Sequence, residues 1–149
     1  MNYKLKIELV PQSSFYNNIR NEVSKQIWDI IRKSTYKKAG YECEVCGTEG
    51  VLHCHEIWSY DDEEKIQTLK GFQALCENCH MLKHIGFSMH TEKGKEKFDR
   101  EELINHFCEI NDCTREDFME YEEKVFKQWR KRSEYEWVVD LQEYEIYLL

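Results

Sequence analysis

Near the N-terminus Tyr3, Leu5, Ile7 and Leu9 alternate with Lys4, Lys6 and Glu8. A period of two with one apolar face predicts a half-buried strand, ended by Pro11, which has no N–H to give a ladder. Residues 13–18 read as a loop or helix entry. From Ser24 to Tyr36 the period lengthens. Ile27, Ile30, Ile31 and Tyr36 fall on one side of an amphipathic helix, with Gly40 as its stop. Val51 to Trp58 and Phe72 to Leu75 read as two strands, and a helix is predicted from Cys79 to a stop at Gly86.

Beyond residue 87 the helical period dominates. Phe98, Leu103, Ile104, Phe107 and Ile110 share a face, Asn111-Asp112 interrupts it, and Phe118, Tyr121, Val125 and Trp129 line the next helix. Thr114 and Asp117 have the spacing of a capping box, and Arg130, Lys131 and Arg132 suit the negative end of that helix. Tyr135, Trp137, Val139 and Leu141 alternate again, predicting a closing strand and a candidate partner for the N-terminal one. The pattern is α+β. A length of 149 residues makes residues 1–149 a single domain. Within it, residues 41–86 form a chemically distinct core and residues 87–149 a helical extension ending in a strand. The apolar runs are too short to predict a transmembrane helix, and the first residues lack a signal peptide's apolar stretch, so a cytoplasmic location is expected.

The formal net charge of −8 is unevenly spread. Residues 1–40 hold eight Lys/Arg against three Asp/Glu, residues 41–86 three against nine, and residues 87–149 ten against seventeen. A general polyanion binder carries the opposite sign, so any phosphate contact must be local. Arg32, Lys33, Lys37 and Lys38 are the candidate nucleic-acid contacts. A solvated helix face with cations at its C-terminal end explains them equally well.

The chemistry is concentrated in residues 41–86, which hold five of the seven cysteines and four of the six histidines. Cys43-Glu44-Val45-Cys46 and Cys76-Glu77-Asn78-Cys79 are two C-x-x-C knuckles with 29 residues between them. Each presents two thiolates to one point, and two knuckles complete a closed tetrahedral zinc site. Buried free thiols or a redox pair are the weaker alternatives. Cys54, Cys108 and Cys113 receive no ligand role. His80 and His84 are four apart on a predicted helix and so share a face, the spacing with which a helix offers two imidazoles to one metal. His53 and His55 alternate on one strand face, and Glu56 follows.

Leu52-His53-Cys54-His55-Glu56-Ile57, followed by Leu75-Cys76-x-x-Cys79-His80-x-x-x-His84, resembles the HNH endonucleases of the His-Me finger (ββα-metal) superfamily. The resemblance covers residues 41–86 and the order of elements: knuckle, strand, loop, strand, knuckle, helix. Trp28-Asp29-Ile30-Ile31-Arg32, Ala39-Gly40-Tyr41 and His55 to Asp62 extend it to bacterial proteins of that type. It implies a zinc-stapled ββα-metal core with flanking helices and terminal strands. It also implies metal-dependent hydrolysis of DNA phosphodiester bonds. Carried over by position, His55, His80 and His84 hold the catalytic divalent metal (Mg²⁺, Mn²⁺, Ni²⁺ or Zn²⁺), and Glu56 falls where the family has its general-base histidine. In another register His55 is the base, and Cys54 or His53 takes the strand metal position. Gly71 stands where the family usually has an asparagine. Trp58 and Tyr60 are placed to stack on a base or, the favoured alternative, to pack the loop. The competing function is a catalytically inactive zinc module that binds a protein or nucleic-acid partner, favoured by the charge and by the Glu56 and Gly71 departures.

Overall fold

The computed structural model describes residues 2–15 and 18–149; Tyr16 and Asn17 of the predicted loop lie outside the described residues. The fold is a mixed α+β arrangement around a three-stranded sheet. A long hairpin forms its body, from β1 (His53–Asp61) and β2 (Ile66–Leu75), antiparallel from His53↔Leu75 to Asp61↔Ile66. Both strands run further than their apolar residues predict. The register slips between Ile57 and Trp58, and opposite this bulge Gly71 has φ +150°, a conformation that side-chain-bearing residues rarely adopt. Glycine at position 71 thus has a local backbone cause.

Helices cover both faces of the hairpin. On one side α1 (Ile19–Glu22) and α2 (Lys25–Lys38) build a small core in which Ile19, Val23, Ile31, Leu69 and Leu141 are buried, with Cys54, Trp58 and Phe72 against it. Ser24 caps α2 by accepting from the Ile27 N–H, and Gly40 leaves the helix with φ +66°. On the other side lie α3 (Glu77–Lys83), α4 (Ile85–Ser88), α5 (Glu92–Lys97), α6 (Arg100–Asn111) and α7 (Arg115–Arg132). These helices surround the larger core of Leu5, Leu75, Leu82, Ile85, Leu103, Ile104, Phe107 and Phe118. Asp112 ends α6 in the left-handed region, and the Thr114–Asp117 capping box opens α7 as predicted.

Phe107 is fully buried and packs edge-on against Tyr3 and Phe118, with centroids 5.3 and 5.1 Å away. Phe107→Ala leaves a cavity where three elements meet and is expected to cost about 3–5 kcal/mol in urea unfolding. A loss below about 1 kcal/mol would contradict this central position.

Three sequence expectations are corrected. The N-terminal segment forms no strand. Its alternation is real, since Tyr3, Leu5 and Ile7 are buried, but side chains of the extension satisfy its backbone instead of a ladder. Asn111 takes both polar groups of Leu5 at 2.9 and 3.0 Å, the Tyr121 hydroxyl accepts from the Ile7 N–H at 3.1 Å, and Trp129 Nε1 donates to Val10 O at 2.8 Å. The closing strand, β3 (Val138–Asp140), is only three residues long and pairs in parallel with β2 instead of with the N-terminal segment. Finally, the helix predicted from Cys79 to Gly86 begins earlier and stops sooner. The Cys76 sulfur occupies the N-cap position, the backbone of His84 breaks the helix at φ −110°, ψ 45°, and Gly86 sits inside α4.

Candidate metal centres

The first cluster is built by two tight turns. In the first knuckle Gly47, at φ +77°, lets the chain double back so that its N–H donates to Cys43 O at 2.9 Å. The N–H of Cys46 points at Cys43 Sγ, 3.5 Å away. In the second, Cys76 Sγ caps α3 and accepts from the Cys79 N–H at 3.5 Å. Glu44 ties the two turns together: its N–H donates to Ala74 O, and its carboxylate accepts from the Ala74 N–H. The sulfurs of Cys43, Cys46, Cys76 and Cys79 consequently lie within 4.8 Å of one another. Four converging thiols form a group able to hold one metal ion, and the donor set is the one structural zinc takes. Two neighbours tune the sulfurs: Thr48 Oγ1 lies 3.1 Å from Cys46 Sγ and His106 Nε2 lies 3.1 Å from Cys79 Sγ. A hydrogen bond from Cys79, aided by His106, drives the Cys76 thiol well below its ordinary pKa against the effect of burial. His106 lies on α6, 27 residues from its partner, and no local pattern announces it.

The second cluster joins the hairpin to α3. His55 projects from β1 and is 3% exposed; His80 lies in α3 and His84 at its C-cap. The His84 N–H still donates to His80 O at 3.1 Å, so the four-residue spacing keeps the two rings together although the helix stops at Lys83. The three imidazoles present ligand atoms within 4.8 Å of one another. Burial, with positive neighbours, lowers His80 to about 2 and His84 to about 3, so both are neutral imidazoles at pH 7. The Nδ1 atoms of His55 and His80 are buried with no hydrogen-bond partner among the described residues. Two buried orphan nitrogens, on rings grouped with a third imidazole, are what a metal ion would satisfy. His53 stacks on His80, with centroids 5.2 Å apart, at the rim of the group.

His55 is also held from behind by a residue with no predicted role. Its Nε2 donates to Glu8 Oε2 at 2.5 Å, and Lys83 Nζ donates to Glu8 Oε1 at 3.0 Å. Burial opposes charge on Glu8, but the His55 hydrogen bond and Lys83 outweigh it and hold the carboxyl down at about 2.

The chain finds no match among protein-family models, curated proteins or solved structures.

The remaining candidates lie elsewhere. Cys54 and Glu56 alternate with His55 and face the opposite side of β1, towards α1 and α2. The Cys54 thiol donates to Thr35 Oγ1 at 3.7 Å, and the Glu56 carboxyl lies by the start of α1, where the backbone N–H groups of Ile19 and Arg20 favour its charged form while its Oε2 is buried with no hydrogen-bond partner among the described residues. Neither joins the imidazoles. Arg32, Lys33, Lys37 and Lys38 ride on α2 over that same opposite face, and Arg32 is paired with Asp29 at 2.9 Å. Trp58 and Phe72 pack into the smaller core, and Tyr60 lies under the Arg132 guanidinium, 4.4 Å from its ring centroid. The aromatics therefore serve packing, the favoured alternative.

Burial raises Glu56 to about 7, against the two backbone N–H groups that lower it. An acid raised in the folded state destabilises once the unfolded chain ionises. The loss begins near the ordinary value of 4.5 and is complete above about 7. Glu56→Gln keeps the size and a carbonyl acceptor near the N–H groups of Ile19 and Arg20 but cannot ionise. It is expected to stabilise the chain by about 2–3 kcal/mol at pH 8 and by little at pH 4. Urea melts at the two pH values check this, and an equal effect at both would refute it.

Proposed function

We propose that the chain is a metal-dependent endonuclease of the HNH type that hydrolyses DNA phosphodiester bonds. In this reading the four-cysteine cluster carries a structural zinc and His55, His80 and His84 hold a catalytic divalent ion. The observation that carries it is the convergence of three imidazoles, two with orphaned buried nitrogens, on the inner face of a hairpin–helix unit stapled by cysteines. A divalent ion bound there would neutralise charge on a scissile phosphate and acidify a bound water. The chain's own contribution is placement. β1 and α3 fix the rings from two directions, and the neutrality of His80 and His84 keeps their lone pairs free for coordination. Lys4 and Lys6 are exposed on the segment that carries Glu8 to His55, giving cations for a local phosphate contact. The α2 cations, across the hairpin, contact DNA only if it wraps around the domain.

Supercoiled plasmid incubated with the protein and Mg²⁺, Mn²⁺, Ni²⁺ or Zn²⁺ tests this directly. Conversion to nicked circles that depends on the added ion is the expected result, and intact plasmid with all four ions would overturn it.

The orientation of Glu56 favours a second reading. With that carboxylate facing the smaller core, no free carboxylate base stands beside the imidazoles among the described residues, and the scaffold can serve as a metal-stabilised module for a protein or nucleic-acid partner. Uptake of two metal ions without nicking would favour it.

A further inference from the structure

Glu8 stands on a segment without a ladder, yet both its oxygens are committed: Oε2 to His55 and Oε1 to Lys83. The same segment is anchored at this point by its backbone, Glu8 N–H to Lys83 O at 3.1 Å, and Lys83 Nζ also reaches Lys6 O at 3.3 Å. An ionised carboxylate can only accept, so Nε2 of His55 carries a proton, and in the neutral ring the lone pair lies on Nδ1. That nitrogen is the buried one with no partner among the described residues. Where an imidazole ligates a metal, a carboxylate on its other nitrogen fixes the tautomer, sets the ring's orientation and strengthens the ligand.

We propose that Glu8 is a positioning residue for the imidazole site, selecting Nδ1 of His55 as the ligating nitrogen and making residues 2–10 part of that site. This role presupposes the metal assignment made above. Glu8 acts through His55 and is not itself a ligand, because Lys83 holds its second oxygen. The sequence position of Glu8 hides it, since a charged residue between Ile7 and Leu9 reads as the wet side of a strand.

The test uses the full chain labelled with ¹⁵N at histidine. Long-range ¹H–¹⁵N spectra read the His55 tautomer, and calorimetry with Zn²⁺ reads the second equivalent bound, after the cysteine site is filled. The wild type is expected to show the Nε2–H tautomer and, with the second Zn²⁺, a shift of the His55 Nδ1 signal. Glu8→Met, similar in size but without an acceptor, is expected to lose the fixed tautomer and bind the second Zn²⁺ about 10- to 100-fold more weakly. The first equivalent should stay unchanged. Glu8→Gln, which restores an uncharged acceptor, should recover the tautomer and part of the affinity. If the wild type binds two Zn²⁺ and Glu8→Met matches it in tautomer and affinity, the Glu8 role is overturned and the metal assignment stands. A wild type that takes up one Zn²⁺ only overturns both. Should Glu8→Met not fold, the wild-type spectrum decides, and an Nδ1–H tautomer for His55 overturns the proposal.

Discussion

Stripping the metal from the cysteine cluster is expected to unfold the domain. Structural zinc in small modules contributes about 10–16 kcal/mol of apparent binding free energy, as much as a domain of this size has in total. The ligands are also wall material here. Cys43, Val45 and Cys79 are buried in the larger core beside Leu5, Leu75 and Phe107, and Cys46 and Cys76 are partly buried against it, so losing the ion unfastens a wall of that core. Glu44 carries the damage further, since the turn it braces is joined to the end of β2. A strong chelator should abolish the cooperative thermal transition and the dispersion of the amide spectrum, and Zn²⁺ should restore both. Cys79→Ala should behave like the chelated protein, whereas Cys108→Ser and Cys113→Ser, outside the cluster, should not. A chelated chain that keeps its wild-type melt would mean that the four cysteines hold the fold without an ion.

His80→Ala is expected to reduce metal-dependent nicking by about 100-fold or more while leaving the chain folded, since even outer neighbours of metal ligands are worth about 10- to 100-fold. His80 is the centre of the group: its ring contacts those of His53, His55 and His84 at 5.2, 5.6 and 4.7 Å. Its removal takes away an orphaned buried nitrogen along with the ring, so the polar penalty that vanishes offsets part of the cavity. The zinc content of the variant should fall to one equivalent and its melting temperature should change little. Wild-type nicking by His80→Ala would remove the imidazole cluster from the reaction.

The cysteine cluster was legible because spacing and ligand chemistry are local properties, and two C-x-x-C turns leave a metal few alternatives. The imidazole cluster was half legible. His80 and His84 follow from a four-residue spacing that survives the early end of α3, and His55 follows from strand alternation. Alternation also tells against Glu56, whose neighbourly position in the chain means the opposite face of the sheet. Glu8 and His106 were invisible, because each meets its partner across a distance in sequence that no pattern records. The N-terminal strand failed for a related reason. A period of two reports one buried face and is silent about whether a ladder or a set of side chains satisfies the backbone. Trp129 and Tyr121 look like ordinary helix residues, and Asn111 like a helix breaker, until the segment is laid across them.

Those three side chains bear on the order in which the molecule assembles. The hairpin and the knuckles close loops of a few tens of residues, but the bonds from Asn111, Tyr121 and Trp129 to the N-terminal segment span 106, 114 and 119 positions. Closing loops that long costs more entropy than closing the hairpin or the knuckles. Residues 5–10 are thus expected to dock late in folding, after the C-terminal helices that carry Asn111, Tyr121 and Trp129 have formed, and Glu8 comes to His55 on that same segment.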